Sequence, residues 1–361
     1  MALGISVYPG LDNTLEENVA LIRHAARLNI TRLFTSLHIP EHDKSTFTDG
    51  LHAILAAARD ACFDLIADVT PESADILGLS SCTPEAFYEY GIHTLRLDDG
   101  FDATEIASFT RNKTGARIQL NASTISEEFL TKLSQNGADF SQIEALHNFY
   151  PRTGTGLSVR ALMEKTTLLH HYGIRTGAFI ATRNGRKRSP LHDGLPTLEL
   201  HRNFSVDLAA RHLTALGLDD IFLSDSLPTN EELLTLAGIM PNQVTLRAVP
   251  SSNNDAIRRL LVQPFTARPD EARDAVRAVE SRSRVKELSI PLPPENTVSR
   301  PFGTITLDNS EYPRYAGELQ IIKRAHPADP RTNVIAQVRP EELFLIPCIR
   351  PESKFKILLD E

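Results

Sequence analysis

Carboxyl side chains follow short apolar runs in the first two-thirds of the chain. Glu41 comes just after RLFTSLHI, Asp98 lies in HTLRLDD, and Asp225 ends DIFLSD. Two carboxyls at one site suit cleavage of a glycosidic bond, because one can protonate the leaving oxygen while the other acts as base or nucleophile. These residue types predict acid–base chemistry, with Asp98, Glu41 and Asp225 as the candidate catalytic residues.

Amides, hydroxyls, imidazoles and guanidinium groups follow the same runs and can hydrogen-bond a small polar substrate. Aromatic residues make up 6% of the chain and tryptophan is absent, so a long aromatic-lined polysaccharide groove is not expected. A small and deeply held substrate fits this composition better. The candidate substrate-binding residues are Tyr8, Ser36, His38, Arg96, Asn121, His147, Asn148, Arg152 and Arg183.

Two arginine-containing segments predict a site for a phosphate or carboxylate group. Arg152 lies in PRTGTGLS, a glycine-rich turn before a predicted helix, where backbone N–H groups and a guanidinium can surround an anion. Arg183 begins a basic cluster that runs to residue 188, after the seventh predicted strand, and barrel enzymes often bind phosphate near that position. Each segment can also be a solvated loop, and this alternative stays open.

Each candidate also has a structural interpretation when it is taken alone. A single histidine such as His38 or His147 is more often a packed structural residue than a catalyst, and Asp225 can serve as a helix N-cap. The sequence has no HExxH, HxH or calcium-loop pattern, and its three cysteines form no CxxC pair. We therefore predict neither a metal site nor an organic cofactor.

Eight β-like runs are expected to position these side chains, and most of them precede a helical segment. Such alternation is typical of a parallel sheet, and eight units within about 240 residues predict a closed (β/α)8 barrel, whose chemistry lies at the C-terminal ends of the strands. An open doubly wound sheet usually has a glycine-rich phosphate turn after its first strand, whereas this chain has YPGL there. The predicted strands are 4–8, 32–39, 64–70, 93–99, 117–123, 142–149, 175–181 and 220–225.

The sequence texture changes after residue 242, where prolines interrupt the α/β alternation. Short strands are predicted at 302–307, 317–322, 333–338, 342–347 and 355–359, with a single helix near 270–279. We predict a TIM-barrel catalytic domain at 1–242 and a small all-β domain at 243–361. The second domain has its own set of polar residues: Arg300, Asp308, Asn309, Tyr312, Arg314, Tyr315 and Glu318. They can form turns and surface ion pairs. Alternatively, Arg314 or Tyr315 closes over the barrel mouth or contacts a neighbouring subunit.

Charge and hydropathy exclude several classes of partner. The chain has 361 residues, with 38 Lys+Arg against 46 Asp+Glu and a formal net charge of −8, which disfavours a nucleic-acid binder. The N-terminal MALGISVYPG is not of signal-peptide type, and no apolar run reaches the roughly 18 residues of a membrane span. We expect a cytoplasmic protein that binds a small molecule, and a homo-oligomer stays open.

Several longer motifs in the same order resemble the bacterial 6-phospho-N-acetylmuramidases over essentially the whole chain. These motifs are LGISVYPG, RLFTSLHIPE, LRLDDGF, LNAST, HNFYPRTGTGLS, GLPTLELHR, RPFGTITLDNSEYPRYAGELQI and RTNVIAQV. The resemblance implies a TIM barrel followed by a cyclophilin-like β-barrel. It also implies hydrolysis of 6-phospho-N-acetylmuramyl-N-acetylglucosamine to N-acetylmuramic acid 6-phosphate and N-acetylglucosamine, in peptidoglycan recycling and without a cofactor.

We interpret the chain as a cytoplasmic hydrolase of a 6-phosphorylated disaccharide, with Asp98 and Glu41 as the catalytic pair and Asp225 as the alternative catalytic carboxyl. Arg152 is expected to hold the 6-phosphate or the lactyl carboxylate. Two alternatives remain open. One is a sugar-phosphate lyase or isomerase on the same barrel, although no lysine lies in the predicted strands for Schiff-base chemistry. The other is a non-catalytic sugar-binding protein.

Overall fold

The computed structural model describes residues 1–37, 44–97 and 100–360. Within these ranges the chain forms two compact units. The barrel unit is Met1–Leu213 with Leu218–Ile239, and the C-terminal unit is Thr214–Gly217 with Met240–Glu361. The division expected after residue 242 stays a prediction about where an independently folding domain begins.

Eight parallel strands form the barrel unit, and the predicted (β/α)8 barrel is confirmed. Each strand pairs with the next one along the chain, and the last pairs with the first through Ala2↔Asp220 and Ile5↔Leu223, which closes the sheet. The strands are rich in apolar side chains that are buried on both faces, as parallel strands inside a ring of helices require. They are β1 (Ala2–Ser6), β2 (Arg32–Ser36), β3 (Asp64–Val69), β4 (Thr94–Leu97), β5 (Arg117–Asn121), β6 (Ile143–Leu146), β7 (Arg175–Ile180) and β8 (Asp220–Leu223).

Helices follow the strands, and capping side chains determine where several of them begin. Thr14 and Glu17 form a reciprocal capping box at the first helix, and Asp102 and Glu105 form another. No helix within the described ranges is long and apolar enough to cross a lipid bilayer. The helices of this part are α1 (Leu15–Arg27), α2 (Lys44–Asp60), α3 (Ser73–Leu77), α4 (Pro84–Glu89), α5 (Ala103–Phe109), α6 (Glu127–Gln135), α7 (Val159–His171), α8 (Val206–Ala215) and α9 (Asn230–Ala237).

Side chains fill the inside of the barrel in layers, so the interior is a packed core. Near the N-terminal ends of the strands, the buried Arg32 guanidinium lies 2.6 Å from Asp220 and 3.1 Å from Asp64, and it also bonds Glu144. An apolar layer follows toward the C-terminal ends. Its buried members are Tyr8, Phe34, Ile66, Leu146, Phe179, Leu195 and Phe222.

The C-terminal unit is built on a mixed seven-stranded sheet. Its two outermost strands, β10 and β11, are joined by a single bridge between Ala267 and Ala278 just beyond their ends, so the sheet curls back on itself. The spatial order is β10-β15-β9-β14-β12-β13-β11. The elements are β9 (Gln243–Pro250), α10 (Asp255–Leu261), β10 (Phe265–Thr266), β11 (Ala275–Arg277), α11 (Ser281–Glu287), β12 (Thr304–Asp308), β13 (Leu319–Ile322), β14 (Thr332–Val338) and β15 (Lys354–Leu359).

Two elements predicted in this unit are wrong. The segment expected to be a helix near 270–279 contains β11, because its Ala275–Arg277 stretch pairs with β13 and this pairing overrides local helix propensity. The apolar run expected to be a strand at 342–347 lies in a 3₁₀ helix, Pro340–Cys348, that buries Leu345 and Ile346. A short apolar run has the same hydrophobic signature in both states, so its period does not separate them.

Candidate active site

Aromatic rings form the floor of the barrel mouth. The ring centres of Phe34 and Phe149 each lie 5.2 Å from that of Phe179, in edge-on arrangements. Tyr8 completes the floor, with its ring centre 6.5 Å from that of Phe34. Its hydroxyl donates a 2.7 Å hydrogen bond to the Ser224 carbonyl, and burial raises the Tyr8 pKa to about 12. Tyr8 is therefore a neutral phenol that offers a ring surface to the mouth.

Arg188 places a positive charge directly over this floor. Its guanidinium carbon lies 4.6 Å from the Tyr8 ring centre and 5.6 Å from that of Phe149. Its Nε is buried without a hydrogen-bond partner, and within the described ranges no carboxylate forms an ion pair with it. A guanidinium that rests on aromatic faces keeps its charge and its N–H edge for an anion.

Asp225 anchors the loop that carries Arg188. Its Oδ1 accepts the Arg188 backbone N–H at 3.1 Å, and its Oδ2 accepts the Thr182 backbone N–H at 2.9 Å. The carboxyl is 1% exposed. Burial raises the Asp225 pKa to about 6, while the backbone hydrogen bonds oppose that rise. The carboxyl thus ties two distant points of the loop after β7 to the end of β8.

Arg96 holds three strand ends of the barrel together. Its guanidinium donates to the Leu146 carbonyl at 3.1 Å and to the Asn148 side chain, and its Nε lies 3.1 Å from the Asp68 carboxylate. Arg96 is buried, whereas Asn148 is half-buried. The structure therefore places Arg96 beneath the mouth and uses it to orient the Asn148 amide.

The His147 ring is packed behind the barrel wall and does not line the mouth. Its Nε2 lies 3.1 Å from the Thr166 hydroxyl on α7, and its Nδ1 lies 3.3 Å from the Ser123 hydroxyl. Burial lowers the His147 pKa to about 3, and the nearby Arg96 charge acts in the same direction. Both ring nitrogens of His147 contact protein hydroxyls. The geometry therefore gives His147 a structural position and does not favour its expected contact with substrate.

The glycine-rich turn around Arg152 is built differently from the expected anion cradle. The backbone N–H groups of Gly154 and Gly156 already donate to the two Glu199 carboxylate oxygens, at 2.9 and 2.8 Å. Arg202 donates to both oxygens from the other side, and its guanidinium lowers the Glu199 pKa to about 2. The turn is thus closed by the protein's own carboxylate, and the Arg152 side chain is exposed beside it.

Arg183 lies at the outer edge of the loop after β7. Its guanidinium bonds the Asn203 side chain at 3.2 Å and is exposed. The backbone N–H groups of Arg183 and Asn184 donate to Glu232, at 2.5 and 2.9 Å. Glu232 belongs to the capping box that begins α9, so this helix start also shapes the loop. The geometry gives the Arg183 side chain a surface position.

Asn121 and Ser36 end β5 and β2. The Asn121 Oδ1 accepts the Ser123 backbone N–H at 3.1 Å, and Ser36 is buried. Asn121 also lines a cavity of about 320 Å³ between the ends of β4 and β5 and the helices α5 and α6, together with Leu97 and Phe129. The cavity has the size of a small acyl or ring group.

Two family models match the chain, one for each unit. The model of the 6-phospho-N-acetylmuramidase N-terminal region matches residues 3–238, and the model of the C-terminal region matches residues 244–358. This chain belongs to the 6-phospho-N-acetylmuramidase family. The family name denotes a glycosidase, so the expected hydrolase class agrees with it.

Two solved structures are similar to this family member over nearly its whole length. One is an uncharacterized B. cereus protein, 30% identical, with a TM-score of 0.85 and coverage of 99% of this chain and 99% of that one. The other is a conserved protein of unknown function from a locus in Enterococcus faecalis, 30% identical, with a TM-score of 0.69 and coverage of 100% and 97%. A comparison with curated protein sequences gives no match.

Three of the residues predicted for the family's chemistry lie outside the described ranges. They are the catalytic candidates Glu41 and Asp98 and the substrate-binding candidate His38. In sequence, Asp98 directly follows Leu97, the last residue of β4. In the part of the chain that the structure describes, no three His, Cys, Asp or Glu side chains are grouped as metal ligands would be.

Sequence reasoning did not assign a role to Arg188, Phe149 or Glu199. Arg188 is the last residue of the basic cluster after β7, and the FY pair in HNFYPRTG signals a ring just after β6. Glu199 carries no local signal for its contact with the Gly154 turn, because the two segments are far apart in the chain. Only the folded barrel brings them together.

Proposed function

We propose that this chain hydrolyses 6-phospho-N-acetylmuramyl-N-acetylglucosamine to N-acetylmuramic acid 6-phosphate and N-acetylglucosamine. The observation that carries the proposal is the match of both units to one family of that activity. The barrel mouth supports it with an aromatic floor, the Arg188 cation and the Asp225 carboxyl that holds it. Peptidoglycan recycling in the cytoplasm is the matching role, and the partner is the small phosphorylated sugar.

The reaction adds water across the glycosidic bond. The bond between the muramyl anomeric carbon and the bridging oxygen breaks, the oxygen takes a proton, and water supplies a hydroxyl to the carbon, directly or through a covalent intermediate. We assign the acid and the base or nucleophile to Asp98 and Glu41. Both sequence positions come after strands whose C-terminal ends form the mouth, where barrel enzymes carry their catalytic groups.

Asp225 is the third carboxyl of this set, and its contacts favour a positioning role. A pKa near 6 suits a proton donor, but both carboxyl oxygens already accept backbone N–H bonds. A group held in this way keeps the loop of Arg188 in place. We therefore assign Asp225 to orient Arg188, with Asp98 and Glu41 as the reacting pair.

Two arginine side chains supply the positive charge that the substrate's anions require. Arg188 is fixed over Tyr8 and Phe149 and has no carboxylate partner within the described ranges, so we assign it to the 6-phosphate. Arg152 is exposed beside the closed turn and suits the lactyl carboxylate. The turn's own N–H groups are excluded from anion binding because Glu199 occupies them.

Hydrolysis in water enriched in ¹⁸O tests the reaction class. The proposal predicts one ¹⁸O atom at the anomeric carbon of the released N-acetylmuramic acid 6-phosphate and none in N-acetylglucosamine, measured by mass spectrometry. The control is product incubated with enzyme in the same water, which corrects for exchange at the free anomeric carbon. A product that lacks the elements of water and carries no label would instead support the lyase, and no turnover with bound disaccharide would support the binding protein.

A further inference from the structure

One face of the sheet in the C-terminal unit is polar yet enclosed. Along β12 and β13, Leu307 pairs with Leu319 and both side chains are fully buried in the core. Because side chains alternate along a strand, the neighbouring Asp308 and Glu318 point to the opposite face. Such a face usually meets water, but these two residues are only 5% and 3% exposed. Something other than the core therefore covers them.

These residues line an open cavity of about 550 Å³, here called the tyrosine cavity. Tyr312 and Tyr315 form one wall, with ring centres 5.0 Å apart and planes nearly perpendicular. Five of the polar residues that the sequence analysis grouped in this unit line it together: Arg300, Asp308, Tyr312, Tyr315 and Glu318. Its volume lies within the range of cavities that hold small ligands.

The floor of the tyrosine cavity holds two carboxyls directly opposite each other. The Asp308 backbone N–H donates to the Glu318 carbonyl at 3.1 Å, and the Gly317 N–H donates to the Asp308 carbonyl at 2.8 Å. Like charges placed opposite each other across two strands destabilise a sheet. Burial raises the Asp308 pKa to about 6, and the Glu318 charge acts in the same direction.

Two residues that line this space also carry buried polar atoms without a hydrogen-bond partner among the described residues. Glu318 Oε2 is buried and accepts no hydrogen bond, and the cation nearest to it, Arg268, lies at 4.0 Å. Arg277 Nε, also part of the lining residues, is buried and donates no hydrogen bond. Buried polar groups are normally paired, so an unused acceptor and an unused donor in residues that line one cavity indicate a missing partner. A hydroxyl group fits both, because it donates one hydrogen bond and accepts others.

We propose that the tyrosine cavity binds a small unphosphorylated sugar, with its hydroxyls on Asp308, Glu318 and Arg277 and a ring face against Tyr315. Aromatic walls with carboxyl, guanidinium and amide groups match the alternating apolar faces and hydroxyl edges of a pyranose. The lining contains four carboxyl residues, Asp274, Asp308, Glu318 and Asp329, against the three arginines Arg273, Arg277 and Arg300, so its charge disfavours a phosphorylated sugar. The site is made of residues of the C-terminal unit, and it stands whether or not the barrel hydrolyses a phosphodisaccharide.

Isothermal titration of the full chain with N-acetylglucosamine, glucosamine and glucose tests the proposal. We expect at least one of these sugars to bind, and glucose 6-phosphate to bind about tenfold more weakly or not at all. Tyr315→Ala and Glu318→Gln should each weaken the binding by about tenfold or more, as expected for loss of a stacking or charge-assisted contact. Tyr315 is exposed by more than a third, so its removal tests the site without emptying the core.

Arg314→Ala is the matched control, because Arg314 is exposed beside Tyr315 and does not line the tyrosine cavity. It should bind within about twofold of the wild type. Arg188→Gln, at the barrel mouth, should also bind the sugar within about twofold of the wild type. This result would show that the sugar binds at the tyrosine cavity and not at the barrel mouth. The proposal is overturned if none of the three sugars binds, if glucose 6-phosphate binds best, or if Arg188→Gln removes the binding while Tyr315→Ala keeps it.

Discussion

The guanidinium carbon of Arg188 lies 4.6 Å from the centre of the Tyr8 ring. The same residue's backbone N–H donates to the buried Asp225 carboxyl at 3.1 Å, so both ends of Arg188 are held. A cation that is oriented before the ligand arrives loses little side-chain freedom on binding, which increases affinity for an anion. The aromatic floor and the loop after β7 therefore act together to hold Arg188 in place for the proposed phosphate contact.

Replacing Arg188 by glutamine should raise the KM for the phosphorylated disaccharide by about tenfold to a hundredfold. The reason is the loss of one charge-assisted contact, typically about 1.5–3 kcal/mol. Steady-state kinetics of N-acetylglucosamine release measure the effect. Arg183→Gln is the matched control, because Arg183 belongs to the same loop but contacts the surface residue Asn203. Equal KM values for both variants would contradict the assignment.

Asp98→Asn and Glu41→Gln should each lower kcat by about a hundredfold to ten-thousandfold, the usual contribution of a general acid or base. Asp99→Asn is the matched control, since it removes the adjacent carboxylate in the same motif. The measurement is the initial rate at saturating substrate, with thermal unfolding as a check on folding. If Asp99→Asn lost the activity while Asp98→Asn kept it, the catalytic pair would have to be reassigned.

Glu199→Gln should lower the free energy of unfolding by about 2 kcal/mol. The substitution leaves the buried Arg202 without its charged partner and weakens two backbone bonds of the Gly154 turn. Urea unfolding followed by circular dichroism measures it. Glu164→Gln is the control, because its ion pair with Arg160 is exposed and should contribute less than about 0.5 kcal/mol. Similar losses in both variants would show that the turn is not held by Glu199.

Stability should decrease as the pH falls from about 6.5 toward 4, in part because of His147. Its pKa is about 3 in the folded protein and returns to an ordinary value near 6.5 on unfolding, so the unfolded state binds the extra proton in this range. At 1.36 kcal/mol per pH unit, this group alone accounts for about 3 kcal/mol of loss by pH 4. His147→Asn should flatten this part of the profile in urea unfolding, and an unchanged slope would contradict the buried neutral ring.

The barrel could be predicted from the sequence because strand and helix alternate with a regular spacing and each strand is a short apolar run. Strands such as β10 and β11 could not, because they are two or three residues long and exist only through pairing with distant partners. Helix α8 could not be predicted either, because it follows a long irregular segment after β7. The hydrophobic pattern of a segment identifies a helix or strand only when the burial of that segment's own residues determines its structure.

The candidate active site could also be predicted only where local sequence position determines where a side chain lies. The strand-end rule placed Tyr8, Asn148 and Asp225 at one end of the barrel, where the structure also has them. It could not tell that the His147 ring turns toward α7, since one step along a strand reverses the direction of a side chain. Nor could it tell that Glu199 takes the N–H groups of the Gly154 turn, because that contact joins two loops.

The most direct test of the account is the ratio of kcat/KM for N-acetylmuramyl-N-acetylglucosamine with and without the 6-phosphate, measured on the purified full chain. The account predicts release of N-acetylglucosamine from the phosphorylated disaccharide, with kcat/KM at least about a hundredfold higher than for the unphosphorylated one, since the phosphate contributes two or more charge-assisted hydrogen bonds. Equal values for the two substrates, or no release from the phosphorylated one by a folded protein, would contradict it.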